Sequence, residues 1–321
     1  VLSVFVVTFP FFALIATGYA AGRLRILPLE AIPGLNTFVL YFALPCMLYR
    51  FGAGTPIAQL LDGSVALVWG ASALAMVAGV IRFTRNARVG WNDGAFGALV
   101  AAFPNTGFMG VPLLAAILGP PAAGPVIITI IFDTVVTSSL CIMLSRLGGA
   151  GGRGAARALR TALRGMLLNP MPWAILLGAL ASAVQWRLPG PVDRTVAMLA
   201  DAASPAALFT IGAVLARSAL MARASGRRGD PRDVLPVAVA KLLVHPLLVY
   251  GLARGAMALG LPLAPSALAA MLLVAALPSA SNVSMLAERF GADNGRIARI
   301  ILWTTVAAFF SFPLVVSLAR L

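Results

Sequence analysis

AAFPNTGFMGVPLL, residues 101–114, and LPSASNVSMLAERFGAD, residues 277–293, each set a proline and an asparagine inside an apolar run. Pro104 and Pro278 each remove a backbone donor and clash with the preceding turn, so a helix through them must break. Gly107, Gly110 and Pro112 extend the disruption in the first stretch. Inside a bilayer, backbone groups freed by such a break are tolerated only where protein buries them or they line a wet cavity. A broken helix also leaves a half-helix N-terminus, with its partial positive charge, at membrane depth, where it favours anions. Asn105, Thr106, Ser279, Ser281, Asn282 and Ser284 add neutral hydrogen-bonding groups beside the breaks. Pro104, Asn105, Thr106, Gly107, Pro278, Ser279, Ser281 and Asn282 form the candidate binding set. A lone proline in a membrane span is ordinary, and an isolated Ser or Thr often bonds back to its own helix. The pairing of two such breaks is what points to a site.

Working outward, the composition places both stretches in a membrane. Apolar residues make up 60% of the 321 positions and charged residues 11%, against about a quarter charged in a soluble protein. A bilayer core needs about 20 mostly apolar residues per helix. Runs of that length recur at roughly 2–22, 33–51, 63–82, 95–118, 125–146, 169–186, 195–216, 233–258, 266–288 and 295–319. They lack the short alternation of barrel strands. The expected fold is therefore an all-α integral membrane protein of ten transmembrane helices. Run 2–22 lacks a basic n-region and reads as a spanning helix rather than a cleaved leader. Cys46 and Cys141 both lie within apolar runs, which indicates neither a disulfide framework nor a metal site.

The net charge of +14 has a topological explanation. Numbering the connections in order, the odd ones hold eighteen arginines, and the even ones with the chain ends hold five. Lys/Arg excess marks the cytoplasmic side. Both ends are therefore expected outside, with the Gly/Arg segment 148–168 as a cytoplasmic linker. Its first part is glycine-rich and flexible, and RALRTALRG at 157–165 has the pattern of an interfacial basic helix or of a solvated connector.

That linker divides the chain into residues 1–147 and 169–321, five runs each, in opposite orientations. Leu44-Pro45-Cys46-Met47-Leu48-Tyr49 matches Ser204-Pro205-Ala206-Ala207-Leu208-Phe209. Pro104-Asn105-Thr106 corresponds to the segment opening with Pro278, and Gly119 to Gly291. Two inverted five-helix repeats are expected, with spans four and nine as the broken crossover helices.

At these residues the chain resembles a bacterial member of the auxin efflux carrier family, the group that also includes malonate-type carriers. The resemblance rests on NTFVLYFALPCMLYRF (36–51), AAFPNTGFMGVPLL (101–114), IIFDTVV (130–136), SPAALFTIGAVL (204–215), KLLVHPLL (241–248) and LPSASNVSMLAERFGAD (277–293). It implies a scaffold of spans one, two, six and seven beside a moving domain of the others, with elevator-like alternation. It also implies secondary transport of small organic anions, carboxylates such as malonate-like dicarboxylates or auxin-like acids. Plant members carry a long hydrophilic central loop; the short linker here favours a bacterial metabolite over auxin itself.

Three ionisable residues lie well inside spans: Asp133 in span five, and Lys241 and His245 four apart on one face of span eight. Charges at such depth face a partner or a cavity. The resemblance puts both spans in the moving domain, which allows an Asp133–Lys241 contact, either as a brace or as part of ion coupling. No cofactor or metal is expected, and coupling would use H+ or Na+. The alternative on a similar fold is a sodium-coupled bile-acid-type symporter or a cation/proton antiporter. The scarcity of intramembrane carboxylates speaks against the antiporter. An intramembrane enzyme would need a nucleophile with a base, or metal ligands, and His245 is the sole histidine. The expected partners are a small organic anion and the lipid bilayer, with no nucleic acid. The expected location is the bacterial inner membrane, and the sequence leaves a homodimer open. Single cysteines placed in 148–168 should react with impermeant thiol reagents only after the cytoplasmic face is opened. Labelling from outside intact cells would overturn the orientation.

Overall fold

The computed structural model describes residues 2–86, 89–119, 122–146, 160, 164, 167, 170–224 and 231–319. The segment expected as the linker therefore lies, but for Arg160, Arg164 and Leu167, outside the described residues, as does the candidate basic helix within it. Among the described residues the fold is helical, with a single isolated β-bridge and no strand.

The helices, in chain order, are α1 (Leu2–Arg23), α2 (Ile32–Gly54), α3 (Gly63–Thr84), α4 (Trp91–Ala102), α5 (Thr106–Leu118), α6 (Ala123–Leu144), α7 (Pro170–Ala183), α8 (Gly190–Ala224), α9 (Leu235–Ala258), α10 (Pro265–Ala276), α11 (Asn282–Arg289) and α12 (Asn294–Leu318). Seven of them, α1, α2, α3, α6, α8, α9 and α12, are long and apolar enough to cross a membrane. Helices α5, α7 and α10 are shorter and apolar. Each apolar run read from the sequence falls on one of these helices or on a pair split by a break. Two differ in length from the reading. Helix α8 runs well past 195–216 at both ends, because polar Asp193, Arg194 and Arg217 end the apolar stretch without ending the helix. It also carries Pro205 in its interior without interruption. Helix α7 stops short of 186, because Gln185 adopts a left-handed φ of 54°.

Among the described residues four single-turn π-bulges widen helices: Val39–Ala43 in α2, Thr106–Gly110 in α5, Asp133–Thr137 in α6 and Ala240–Val244 in α9. Three of them immediately precede a proline at the start of the next turn, namely Pro45, Pro112 and Pro246. A proline ring clashes with the carbonyl four residues back. The wider turn relieves that clash and passes the bond to the next residue, as where the His245 N–H reaches the Ala240 carbonyl. The Asp133 bulge has no proline behind it, so another cause operates there. Such bulges are frequent at functional sites.

Helices α1, α2, α7 and α8 pack together, while α3–α6 and α9–α12 form a second group. The most extensive contacts join α1 to α8 and α2 to α7. These pairs approach through glycines. A Cβ added at Gly18 would lie 1.9 Å from the Phe209 carbonyl oxygen, and one at Gly178 2.3 Å from that of Tyr49. A Cβ at Gly212 would lie 1.9 Å from the Ile15 oxygen, and one at Gly52 2.9 Å from that of Ile175. Every residue in one contact of each pair stands 160 positions from its counterpart in the other. The helix ends repeat at the same spacing. Among the described residues Arg25 and Gln185 are the two non-glycine ones with positive φ, and Leu24 N–H to Ala20 O is echoed by Val184 N–H to Leu180 O. Gly119 and Gly291, closing α5 and α11, share a positive φ of 72° and 69°, a conformation that glycine adopts without a Cβ penalty.

Side chains cannot enter these glycine contacts without parting the helices, and overpacking costs about 1–3 kcal/mol or more. Gly18→Ala and Gly212→Ala should therefore lower the melting temperature in detergent most, Gly178→Ala less and Gly52→Ala least. Gly34→Ala, where a Cβ meets nothing within 4 Å, should be neutral. Equal melts across the series would refute the close approach.

Candidate binding site

The two breaks meet. Between α4 and α5 the chain runs extended through Phe103 and Pro104 and bends at Asn105; between α10 and α11 it runs extended through Leu277, Pro278 and Ser279. Pro104 and Ser279 form an antiparallel bridge. The Asn105 N–H donates to the Pro278 carbonyl at 2.8 Å, and the Ala280 N–H donates to the Phe103 carbonyl at 3.0 Å. Each break thus satisfies backbone groups that the other has freed. The Ser279 N–H finds a third partner in the Thr304 hydroxyl of α12 at 3.2 Å.

Past the bridge, α5 and α11 begin as new helices. Asn105 and Ser281 stand at their N-cap positions, and neither makes a side-chain cap bond. The Asn105 carbonyl accepts instead from Met109 and Gly110 as the π-bulge starts. Thr106 is fully buried, its hydroxyl 3.5 Å from the Pro104 carbonyl, and Gly107 faces the Met171 methyl of α7. Three side-chain atoms here, Asn105 Oδ1, Ser279 Oγ and Asn282 Oδ1, are buried without a hydrogen-bond partner. Buried polar atoms are nearly always paired, so a cluster of unpaired ones marks a place where something else binds. The structure thus brings together all eight residues expected at the site: Pro104, Asn105, Thr106, Gly107, Pro278, Ser279, Ser281 and Asn282.

A cavity of about 930 Å³ opens beside the crossing. Ser281 and Asn282 line it; Asn105 and Ser279 do not, and lie behind it in the packed interior. Its walls come from both helix groups, Asn36 of α2 and Arg217 of α8 facing α11 and α12. Asn36 Nδ2 donates to Met285 Sδ across the divide at 3.0 Å.

Asp133, Lys241 and His245 form a separate, fully buried cluster. Asp133 Oδ1 accepts from Trp69 Nε1 at 3.1 Å and from the Thr137 hydroxyl at 3.0 Å, while Oδ2 has no hydrogen-bond partner. Lys241 Nζ donates to the Ala275 carbonyl at 2.7 Å and bonds His245 Nδ1 at 3.1 Å. The Trp69 and His245 rings stand 5.3 Å apart between them. The acid and the amine are therefore linked through Trp69 and His245, not by a direct ion pair within 4 Å. The Thr137 bond, from the far end of the bulged turn, is a local partner for Asp133 that no proline requires. The sequence reading named neither Trp69 nor Thr304, whose roles depend on which helix faces which. It also treated Arg296 and Arg299 only as topological charges, although both line the cavity.

The architecture defines a class: a multi-pass helical membrane protein whose two broken helices cross beside a cavity. The family described as membrane transport protein matches residues 3–151 and 154–316, and the chain belongs to it, the family of the auxin efflux carriers. It is 31% identical over 303 residues to a Rhizobium meliloti (strain 1021) protein named "Putative malonate transporter", covering 92% of this chain and 90% of that one. An "Uncharacterized transporter" of Methanothermobacter thermautotrophicus is 28% identical over 94% of this chain and 93% of its own length. "Auxin efflux carrier component 8" of Arabidopsis thaliana is 21% identical, over 65% of this chain and 71% of its own. Family and relatives alike point to a transporter rather than an enzyme.

The Asp133 and Lys241 charges sit in one low-dielectric cluster, where a lone charge is far costlier than a compensated pair. In a cycle of Asp133→Asn, Lys241→Met and the double variant, each single change should lower thermal stability more than the double does. Additive effects would show that the two charges do not sense each other.

Proposed function

We propose that this protein is a secondary active transporter of small organic anions, with the substrate held where α11 starts at the crossing. The observation that carries the reading is the pair of uncapped half-helix N-termini, joined by the Pro104–Ser279 bridge and flanked by unpaired Asn105, Ser279 and Asn282 atoms. A half-helix N-terminus without a side-chain cap carries partial positive charge and suits a carboxylate. The malonate in a relative's name makes short carboxylic acids the first substrates to test.

The proposed architecture is ten spans in two inverted five-helix repeats, 1–147 and 169–321. Its support is the 160-residue recurrence of close contacts and helix ends. Helices α1 and α8 run parallel where they touch, since Gly18 meets Phe209 and Gly22 meets Ala213 and Ala216. First and seventh spans must do so in a ten-span chain. The group α1, α2, α7 and α8 would serve as scaffold, and the other group, carrying the crossing, would slide past it as an elevator. The site then faces one side or the other without the bridge breaking. The arginine distribution favours termini outside and the linker in the cytoplasm of a bacterial inner membrane.

Asp133, Lys241 and His245 are proposed as the coupling or supporting cluster of the moving group, with H+ or Na+ as the coupling ion. The unpaired oxygens at the crossing are also suitable sodium ligands, which keeps the sodium-coupled symporter as the second reading. Sodium dependence of uptake decides between them.

Asn282→Ala should weaken carboxylate binding about tenfold or more, since a hydrogen bond to a charged group contributes about 1.5–3 kcal/mol, and Asn105→Ala, set behind the cavity, should weaken it less. Folding and membrane insertion should persist. Uptake of labelled malonate into proteoliposomes, with and without sodium, measures both effects. Unchanged transport by both variants would remove the site from the crossing.

A further inference from the structure

Arg296 lies in the first turn of α12 and is 4% exposed. Its guanidinium is fixed by two bonds: Nε donates to the Asp233 carbonyl at 3.1 Å and NH1 donates to the Asp93 carbonyl at 2.8 Å. The third nitrogen, NH2, is buried with no hydrogen-bond partner, and so is Nε of Arg299 one turn further on. Both arginines line the cavity that Ser281 and Asn282 also line. Among the described residues neither makes an ion pair within 4 Å, although Asp93, Asp233 and Asp293 lie near enough to act on Arg296 electrostatically. Asp93 Oδ1 accepts from the Asp293 N–H at 2.7 Å, and Asp293 Oδ1 caps α12 through the Arg296 N–H at 2.9 Å. Glu288, on the cavity wall, lies 3.5 Å from the Asn294 amide. A buried arginine bonded to two carbonyls with one nitrogen unspent keeps a donor that an anion can take up, even beside those carboxylates.

The spacing relates these arginines to the crossing. Two contacts tie α12 to the neighbouring segment: Asn294 Oδ1 to the Ser284 hydroxyl, and the Thr304 hydroxyl to the Ser279 N–H. Asn282 lies between Ser279 and Ser284, and Arg296 and Arg299 lie between Asn294 and Thr304. At about 1.5 Å per residue, Arg299 comes roughly level with Asn282 along the helix and Arg296 about one turn away. That separation suits the two ends of a short dicarboxylate.

We propose that Arg296 and Arg299 receive a second carboxylate of the substrate, so that the protein selects dicarboxylates over monocarboxylates. This rests on the carrier reading above, in which Asn282 and the α11 N-terminus take the first carboxylate. Arg296 orients as well as binds, because its two carbonyl bonds leave NH2 one direction. Arg299 supplies the second donor.

The test compares malonate, succinate and glutarate with their half-amides, which keep size but lose one charge, binding to the full chain in detergent. The wild type should bind at least one diacid about tenfold or more tighter than its half-amide, as expected for a charge-assisted contact. Arg299→Gln should bring that ratio close to one by weakening the diacid while leaving the half-amide unchanged. Arg296→Lys keeps the charge but loses the fork, and should reduce the ratio with a melt close to wild type. Asn282→Ala should weaken diacid and half-amide together. A wild-type ratio near one, or a ratio that survives both arginine changes, overturns the proposal and leaves the carrier reading standing. If the wild type binds none of the six compounds, the carrier reading fails and takes this proposal with it.

Discussion

Two helices broken inside an apolar layer create one problem, and the architecture around them is its solution. Pro104 and Pro278 each end a helix where water is absent to satisfy the freed backbone. The bridge between Phe103–Asn105 and Pro278–Ala280 answers part of that demand, because each break offers what the other lacks. The pairing works only if the two segments cross at the level of their breaks. That requirement fixes α4–α5 against α10–α11 and, through Thr304, fixes α12 to both. The backbone bonds go to one another, so the side chains Asn105, Ser279 and Asn282 remain with unpaired atoms. A rigid crossing with unsatisfied polar edges is what a binding site requires, since its hydrogen-bonding groups are oriented before the ligand arrives.

The packing is divided along the same line. The glycine seams joining α1 to α8 and α2 to α7 bring backbones nearly into contact, leaving no room for a Cβ. Contacts across to the second group involve flexible or apolar tips instead: Met285 on Asn36, Met171 at Gly107 and the edge-on Phe12–Phe309 pair. Methionine adapts to changing neighbours. One group is thus stapled by backbone approach and the boundary is padded by side chains, an arrangement suited to relative sliding.

The sequence revealed the parts governed by local rules. Apolar runs placed the helices, and prolines in apolar company placed the breaks at 104 and 278. It also paired Gly119 with Gly291, which turn out to share a positive φ. Hidden from it was whatever depends on a facing helix. Pro45 and Pro205 look equivalent in sequence, yet one follows a π-bulge and the other sits inside a continuous helix. Asp133 and Lys241 have the charges of a pair, but Trp69 comes between them from α3 and takes one carboxylate oxygen. Arg296 reads as a topological charge because it begins an apolar run. Its role depends on two carbonyls, of Asp93 and Asp233, far away in sequence.

Where the halves correspond, they supply geometry; where they differ, they supply chemistry. The offset that pairs Gly119 with Gly291 sets Gly124 and Ile127 of α6 against Arg296 and Arg299 of α12. Gly124 packs so closely that a Cβ would lie 2.7 Å from the Gln59 carbonyl, and Ile127 is buried in the core. No guanidinium fits at that position in the first half. The same offset sets Asp133 against Thr305, whose hydroxyl simply bonds back to Ile301. A strictly two-fold structure would present equivalent surfaces to both sides of the membrane and would treat an anion alike at each. Placing arginines on one half only gives the crossing one flank of guanidinium groups, interspersed with Asp233, Glu288 and Asp293, and one flank without them. Placing the buried acid on the other half sets it apart from those arginines. On the proposed reading, directional handling of an anion by a near-symmetric fold needs such an imbalance, and in this chain it lies in α6 and α12, the helices that close each half.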